Sequence, residues 1–238
     1  MHIPDGFLNS SVAGPLLAGT LGALGHAFVR VRRALTRRVA ARRLATIPPS
    51  DAGVVTRSAL TDRGRQQVLR MASLGALIFA AQMVNFPVAD GTSGHLLGGA
   101  LAAIVLGPWT GLLVMGVVLG VQALLFGDGG LLAYGANVVN MGLIGTVGAW
   151  GLFRWLRLKP FALRVGIVAW GTVVLASVGA SVELALSGTI PFGRVFASMV
   201  SVHALIGIGE ALITIGALWY LRRQGMRFVV DETDDADL

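Results

Sequence analysis

The sequence predicts an all-α, polytopic membrane bundle of about seven transmembrane helices, N-terminus outside and C-terminus inside. Three observations carry this. Of the 238 residues 55% are hydrophobic, the mean hydropathy is +0.75, and short polar breaks separate apolar stretches in a way that lets every basic cluster fall on one side of a bilayer. There is no cysteine, which excludes disulfides and thiolate metal sites and leaves nitrogen or oxygen to hold any transition metal. A formal charge of +7 would suggest nucleic acid in a soluble protein, but these arginines flank apolar spans and read as topology signals within the lipid bilayer; no nucleic-acid partner is expected. Lys159 is the only lysine and no G-x-x-x-x-G-K-[ST] occurs. The chain is therefore expected to bind no nucleotide through a P-loop.

The first residues are Met1-His2-Ile3-Pro4-Asp5-Gly6-Phe7-Leu8. No basic n-region precedes the first apolar run, so no cleaved signal peptide is expected, and the bulk of His2 favours retention of Met1. An unblocked α-amine, the next amide nitrogen and an imidazole can close two fused chelate rings on one metal ion. One further imidazole would complete a plane that suits Ni(II) or Cu(II), while imidazole excludes neither Co(II) nor Zn(II). The competing reading is an ordinary disordered terminus, against which Pro4, Gly6, Phe7 and Leu8 suggest an end folded back into an apolar bundle.

The first span covers about 12–29 and aligns Gly14, Ala18, Gly22 and His26 on one face. Packing within the bundle is the expected use of that face; docking to a partner membrane subunit is the alternative. Residues 30–68 form a basic cytoplasmic loop, whose segment 29–44 suits a helix lying on anionic headgroups and ending before Pro48-Pro49. A second span, about 69–86, closes on Gln82-Met83-Val84-Asn85-Phe86-Pro87, and Gly91-Thr92-Ser93-Gly94-His95 follows.

Residues 96–126 are apolar except at Gly107-Pro108-Trp109, which admits one long helix or a hairpin. Charge selects the hairpin. It puts Arg154, Arg157, Lys159 and Arg164 on the same side as the 30–68 loop and as Arg222, Arg223 and Arg227, whereas a single helix would place them outside. The third span then has roughly thirteen residues, reaching about 20 Å, and must be tilted, re-entrant or shielded by protein. Spans at about 136–153, 165–186 and 195–221 complete a single transmembrane domain, 1–225, and 226–238 is an acidic cytoplasmic tail whose run 231–237 is expected to be disordered.

This topology brings His2, His95 and His203 toward the outer face and leaves His26 at the inner one. Gln82, Asn85 and Ser93 surround His95 in sequence and could orient an imidazole; the plain alternative is an imidazole satisfied by loop carbonyls. For His203, and for Glu210 seven residues on, a packing or supporting role is expected, because a carboxyl group inside a span is costly unless paired.

Met1 to Leu8, Gln82 to Pro87 with Gly91-Thr92-Ser93-Gly94-His95-Leu96, Asp128-Gly129-Gly130-Leu131 through Gly135-Ala136-Asn137-Val138-Val139-Asn140-Met141, and His203 through Gly209-Glu210-Ala211 together resemble the CbiM/NikM family. These are the substrate-binding membrane subunits of energy-coupling-factor transporters for cobalt and nickel. The resemblance implies a multi-pass protein of a bacterial or archaeal cell membrane that carries Co2+ or Ni2+ as substrate and has no catalytic residue. It implies metal ligands at Met1, His2 and His95; beside them, Gln82, Asn85, Ser93, Asn137, His203 and Glu210 are expected as supporting residues. It also implies as partners a coupling transmembrane subunit, ATP-binding subunits and a small accessory membrane protein. The Arg-rich stretch, Ala89-Asp90 and Pro4-Asp5 depart from the family pattern without touching those ligands. Two rival classes are an intramembrane hydrolase using Ser93 with His203 as base, for which no nucleophile context is present, and a stand-alone divalent cation channel.

Overall fold

The computed structural model describes residues 1–41, 55–87 and 93–234. Helix α1, Ser10–Leu35, starts at Asn9, whose side chain accepts from the Val12 N–H at 3.0 Å, and ends with Arg32 and Arg33 against the negative end of its dipole. Beyond it, strand β1, Thr36–Ala41, pairs antiparallel with β2, Val55–Leu60. The surface helix expected over 29–44 therefore stops at Leu35. The register sets Thr36 opposite Leu60 and Ala41 opposite Val55, a two-stranded ladder in a stretch whose Thr and Val favour strand over helix. Arg42, Arg43 and Pro48-Pro49 lie outside the described residues. Thr61 caps helix α2, Asp62–Gln82, and its N–H donates to Leu35 O at 3.0 Å, so the expected 30–68 loop is helical at both ends.

After α2 the chain makes a second small hairpin, β3 (Phe86–Pro87) with β4 (Ser93–Gly94). The Ala89-Asp90 insertion and Gly91-Thr92 fall outside the described residues. Helix α3, Gly99–Leu106, and helix α4, Pro108–Val121, meet at Gly107, whose φ of +84° turns the chain while Pro108 opens the next helix. A Cβ on Gly111 would stand 3.2 Å from the Ala102 backbone. The two helices thus fold onto each other, which is the hairpin that charge selected. All eight residues of α3 are buried; at about 12 Å it falls well short of a hydrocarbon layer of about 30 Å and is shielded by protein on every side.

Helix α4 runs on through a π-helical turn, Gln122–Phe126. Helix α5, Tyr134–Asn137, a π-helical stretch Val138–Gly148 and α6, Ala149–Trp155, form one rod; α7, Phe161–Leu186, and α8, Phe192–Arg223, follow. Among the described residues five helical units are long and apolar enough to cross a membrane: Ser10–Leu35, Pro108–Phe126, Tyr134–Trp155, Phe161–Leu186 and Phe192–Arg223. Helix α2 is polar in its first half, which holds Asp62, Arg63, Arg65 and Arg70.

Two expectations change. Gly14, Ala18 and Gly22 are exposed, and nothing lies within 4 Å of a Cβ built on Gly14 or Gly22, so of this face only His26, edge-on to Trp109 at 4.8 Å, packs in the bundle. Helix α1 instead packs through Ala13, Thr20, Ala27 and Val31, with Thr20 donating to Gly135 O at 2.9 Å. Of the run 231–237, expected to be disordered, residues 231–234 belong to a last helix, α9, Val229–Asp234, which Phe228 and Val230 anchor by complete burial and Asp231 by pairing with Arg222. Residues 235–238 lie outside the described residues.

Candidate metal centre

The N-terminal segment is folded into the bundle, with Met1 and Ile3 inside the core. Burying an extended backbone requires partners for its polar groups, and one side chain supplies two. Asn137 accepts from the Ile3 N–H at 2.8 Å and donates to Ile3 O at 3.1 Å, as a neighbouring strand would, and Gly130 N–H adds a third bond to Ile3 O at 3.0 Å. Two residues on, the Asp5 carboxylate accepts from Leu131, Leu132 and Ala133 N–H at 3.0, 2.8 and 3.3 Å. These N–H groups lie in the turn leading into α5, so Asp5 gathers that turn from a distant part of the chain. Thr189 donates to Phe7 O.

The Gly129-Gly130 pair makes this approach possible. A Cβ on Gly130 would lie 2.1 Å from Asp5 Oδ1, and one on Gly129, at φ +88°, 3.0 Å from the His2 ring. Gly130→Ala is expected to push Asp5 off its amides and weaken metal binding roughly 10- to 100-fold, the range for a lost support of a ligand. Isothermal titration of the purified chain with Ni(II) checks it; unchanged affinity would remove the segment's role.

His95 arrives from the β3–β4 hairpin and is held from behind. Gln82 Nε2 donates to Leu97 O at 2.6 Å, and the two Glu210 carboxyl oxygens accept from Leu97 and Gly98 N–H at 2.8 and 2.7 Å. His95 Nδ1 lies 2.7 Å from Leu96 O, which assigns the proton to Nδ1 and leaves the Nε2 lone pair available. Among the described residues that Nε2 is buried without a hydrogen-bond partner. The His2 and His95 rings stack, centroids 4.6 Å apart at 27°. His2 Nδ1 lies 3.2 Å from Asp128 Oδ1, at the distance but not the alignment of a hydrogen bond. Gln122 borders His2, and its buried amide has no hydrogen-bond partner among the described residues. His203, fully buried, places Nδ1 2.7 Å from Met199 O.

These groups disfavour protons. Burial lowers the Met1 α-amine to about 4 against the pull of Asp128. It lowers His2, with Asp128 again opposing, and takes His95 well below the ordinary imidazole range, aided by the nearby amine and His2. The contact with His2 holds Asp128 below the usual carboxylate range. At neutral pH the pocket therefore offers neutral nitrogen lone pairs beside one carboxylate.

Among the described residues no three His, Asp or Glu side chains form a metal-holding group. The groups that could hold an ion are instead two imidazoles with the backbone nitrogens of the first two residues. Met1, His2 and His95 are brought together; Gln82, Asn137 and Glu210 grip the segments that carry them. Asn85 is exposed, and among the described residues it contacts neither imidazole. Ser93 sits in β4 opposite Pro87, and among the described residues no hydroxyl is hydrogen-bonded to an imidazole. Asp5, Asp128 and Gln122 were not singled out from sequence. The available signal was an acidic residue between glycines, Gly127-Asp128-Gly129, just before a helix.

Residues 51–228 match the family model CbiM, described as a cobalt uptake substrate-specific transmembrane region. The chain belongs to the CbiM family. A protein of Archaeoglobus fulgidus, provisionally named as a fused nickel transport protein NikMN, is 34% identical over 223 residues, 93% of this chain and 65% of its own length; this chain thus spans about two thirds of that relative. The cobalt transport protein CbiM of Sorangium cellulosum is 33% identical over 158 residues, 63% of this chain and 70% of that protein. The crystal structure of a truncated transition metal transporter superposes with a TM-score of 0.76 at 27% identity, covering 94% of this chain and 99% of the other. This CbiM-family chain is accordingly a multi-pass membrane protein of a cobalt and nickel transport family.

Proposed function

We propose that this chain is the substrate-binding subunit of an energy-coupling-factor transporter importing Ni2+ or Co2+, and that it grips the ion from the outer face. The ligands are the Met1 α-amine, the His2 amide nitrogen and Nδ1, and His95 Nε2. The observation that carries this reading is the stacking of His2 on His95, centroids 4.6 Å apart, beside the buried Met1. Only Nδ1 of His2 can close a six-membered ring with its own amide nitrogen, and that is the atom beside Asp128. One divalent cation, one amide anion and the Asp128 carboxylate sum to zero charge, which removes the main penalty for placing an ion in a buried site. Competition between Ni(II) and Co(II) for the purified chain, with its native terminus and metal counted per chain, tests the proposal; absence of stoichiometric metal would sink it.

Partners follow from the same reading: a coupling membrane subunit, ATP-binding subunits that supply the energy, and a small accessory membrane protein. The exposed Gly14, Ala18 and Gly22 face lets another membrane helix approach closely. With the N-terminus outside, as the basic clusters favour, the pocket faces the arriving ion.

Two outcomes separate the chelate from generic histidine binding. Because the amine and both imidazoles are already neutral near pH 7, the ion displaces only the amide proton. Titration in buffers of different ionisation enthalpy should count about one proton released, and affinity should fall about tenfold per pH unit, steepening only toward the lowered ligand values. Without metal the same lowered groups act on folding. The unfolded chain takes up protons below about pH 8 at its amine and below about 6.5 at its imidazoles, while the folded pocket resists, so stability declines as pH drops from 8 toward 4. Asp128→Asn keeps the shape and removes the charge. It should weaken binding roughly 10- to 100-fold by the same titration, and an unaltered affinity would show that the carboxylate does not neutralise the ion.

A further inference from the structure

Helix α8 buries one line of residues, Met199, His203, Gly207, Glu210 and Thr214, at three- and four-residue spacing. Glu210 holds Leu97 and Gly98 through its two oxygens, and α8 also packs on β4, so the helix follows the chain on both sides of His95. His203 lies two turns before Glu210 on the same face, about 10 Å along the axis, and is turned toward that stretch. The Met1 amine acts electrostatically on His203, and His203 on His95.

The His203 ring is fully buried and fixed. Its Nδ1 lies 2.7 Å from Met199 O, which assigns the proton there and leaves a lone pair on Nε2. Among the described residues that Nε2 has no hydrogen-bond partner. A ring nitrogen buried without a partner is costly, and an apolar side chain on the same helix face would avoid the cost. Tying one nitrogen to a carbonyl so that the other presents its lone pair is how an imidazole ligand is oriented. His95 is prepared in the same way, with Nδ1 on Leu96 O and Nε2 unpartnered among the described residues.

Four nitrogens in a plane leave a further donor only the direction normal to it, and the ion decides whether that donor binds. In a strong planar nitrogen field the d electrons of Ni(II) pair, and the filled orbital normal to the plane repels a fifth ligand. Co(II) has one electron fewer, that orbital is half empty, and an axial nitrogen binds. We propose that His203 Nε2 is the apical ligand that cobalt takes at this site, a role that rests on the planar chelate of Met1, His2 and His95. It makes His203 a determinant of how the chain ranks Co2+ against Ni2+. Gln122, also buried without a hydrogen-bond partner among the described residues and bordering His2, offers only an amide oxygen.

The test uses the full chain with its native N-terminus, loaded with Co(II) without oxygen and read by electron paramagnetic resonance. A low-spin signal whose cobalt lines each split into a nitrogen triplet is expected, and labelling histidine alone with heavy nitrogen should turn the triplet into a doublet. Of the four histidines, His2 and His95 lie in the plane and His26 packs on Trp109 at the α3–α4 corner, so the doublet identifies His203. His203→Asn keeps a donor for Met199 O and removes the distal nitrogen. It should abolish the splitting and lower cobalt affinity relative to nickel roughly tenfold or more, whereas a merely structural loss would lower both alike. If the variant does not fold, the labelled wild-type spectrum decides. The proposal fails if bound cobalt is high-spin or shows no axial nitrogen, if the splitting ignores histidine labelling or survives in His203→Asn, or if that variant weakens both metals equally. A chain that takes up no stoichiometric metal fails the chelate itself, while metal held without the axial nitrogen overturns only the part given to His203.

Discussion

One residue added ahead of Met1, or an acetyl group on its nitrogen, is expected to reduce nickel and cobalt affinity by well over 100-fold. The loss should exceed the roughly 10- to 100-fold range typical of supporting residues, because a ligand and a fused ring disappear together. The pocket gives an extra residue no space, since Met1 is 1% exposed and belongs to the core. A blocked amine also cannot donate its lone pair, so steric and chemical arguments agree. The planar-nickel absorption band should vanish with the affinity. Retention of both in the extended chain would refute chelation by the terminus while leaving family membership untouched.

The second large effect is expected at Glu210, which need not touch the ion. Its two carboxyl oxygens accept from the Leu97 and Gly98 N–H groups. Glu210→Ala leaves those donors without acceptors inside the bundle, at about 1–3 kcal/mol each. The loop carrying His95 would then lose its support, with roughly a further 10- to 100-fold in metal affinity. Glu210→Gln can accept only one of the two bonds and should fall between wild type and Ala. Thermal unfolding of the metal-free chain reads the first effect and titration the second. If Glu210→Ala unfolds like wild type, the loop is held by Gln82 alone.

What the sequence made legible and what it hid divide along a physical line. Membrane-length apolar runs and the Gly107-Pro108 break specify helices locally, so the helical plan and the α3–α4 hairpin could be read directly. His2 stood out because an N-terminal Met-His is a local pattern, whereas its stacking on His95, 93 positions on, rests on tertiary packing. Asp5 and Asp128 did not, since their partners lie 126 residues away at Leu131 and at His2 across the bundle. An acidic residue carries no mark of which amide it will meet. The 29–44 segment misled because alternating arginine and aliphatic residues satisfy a surface helix and a two-stranded ladder equally well. The tail misled because its acidic run outweighed Phe228 and Val230, whose burial decides its place.

The lashing of Ile3 and Asp5 to Asn137 and the amides of 130–133 carries a consequence for timing. On the proposed reading, the residues that hold the cargo also form the stopper over it. Neither loading nor release can then occur without that thread lifting as a unit, a local opening in the microsecond-to-second range rather than a diffusional step. Residence of the ion would be governed by how often the stopper is drawn, and a partner that pries at residues 128–133 could discharge the site without contacting the metal.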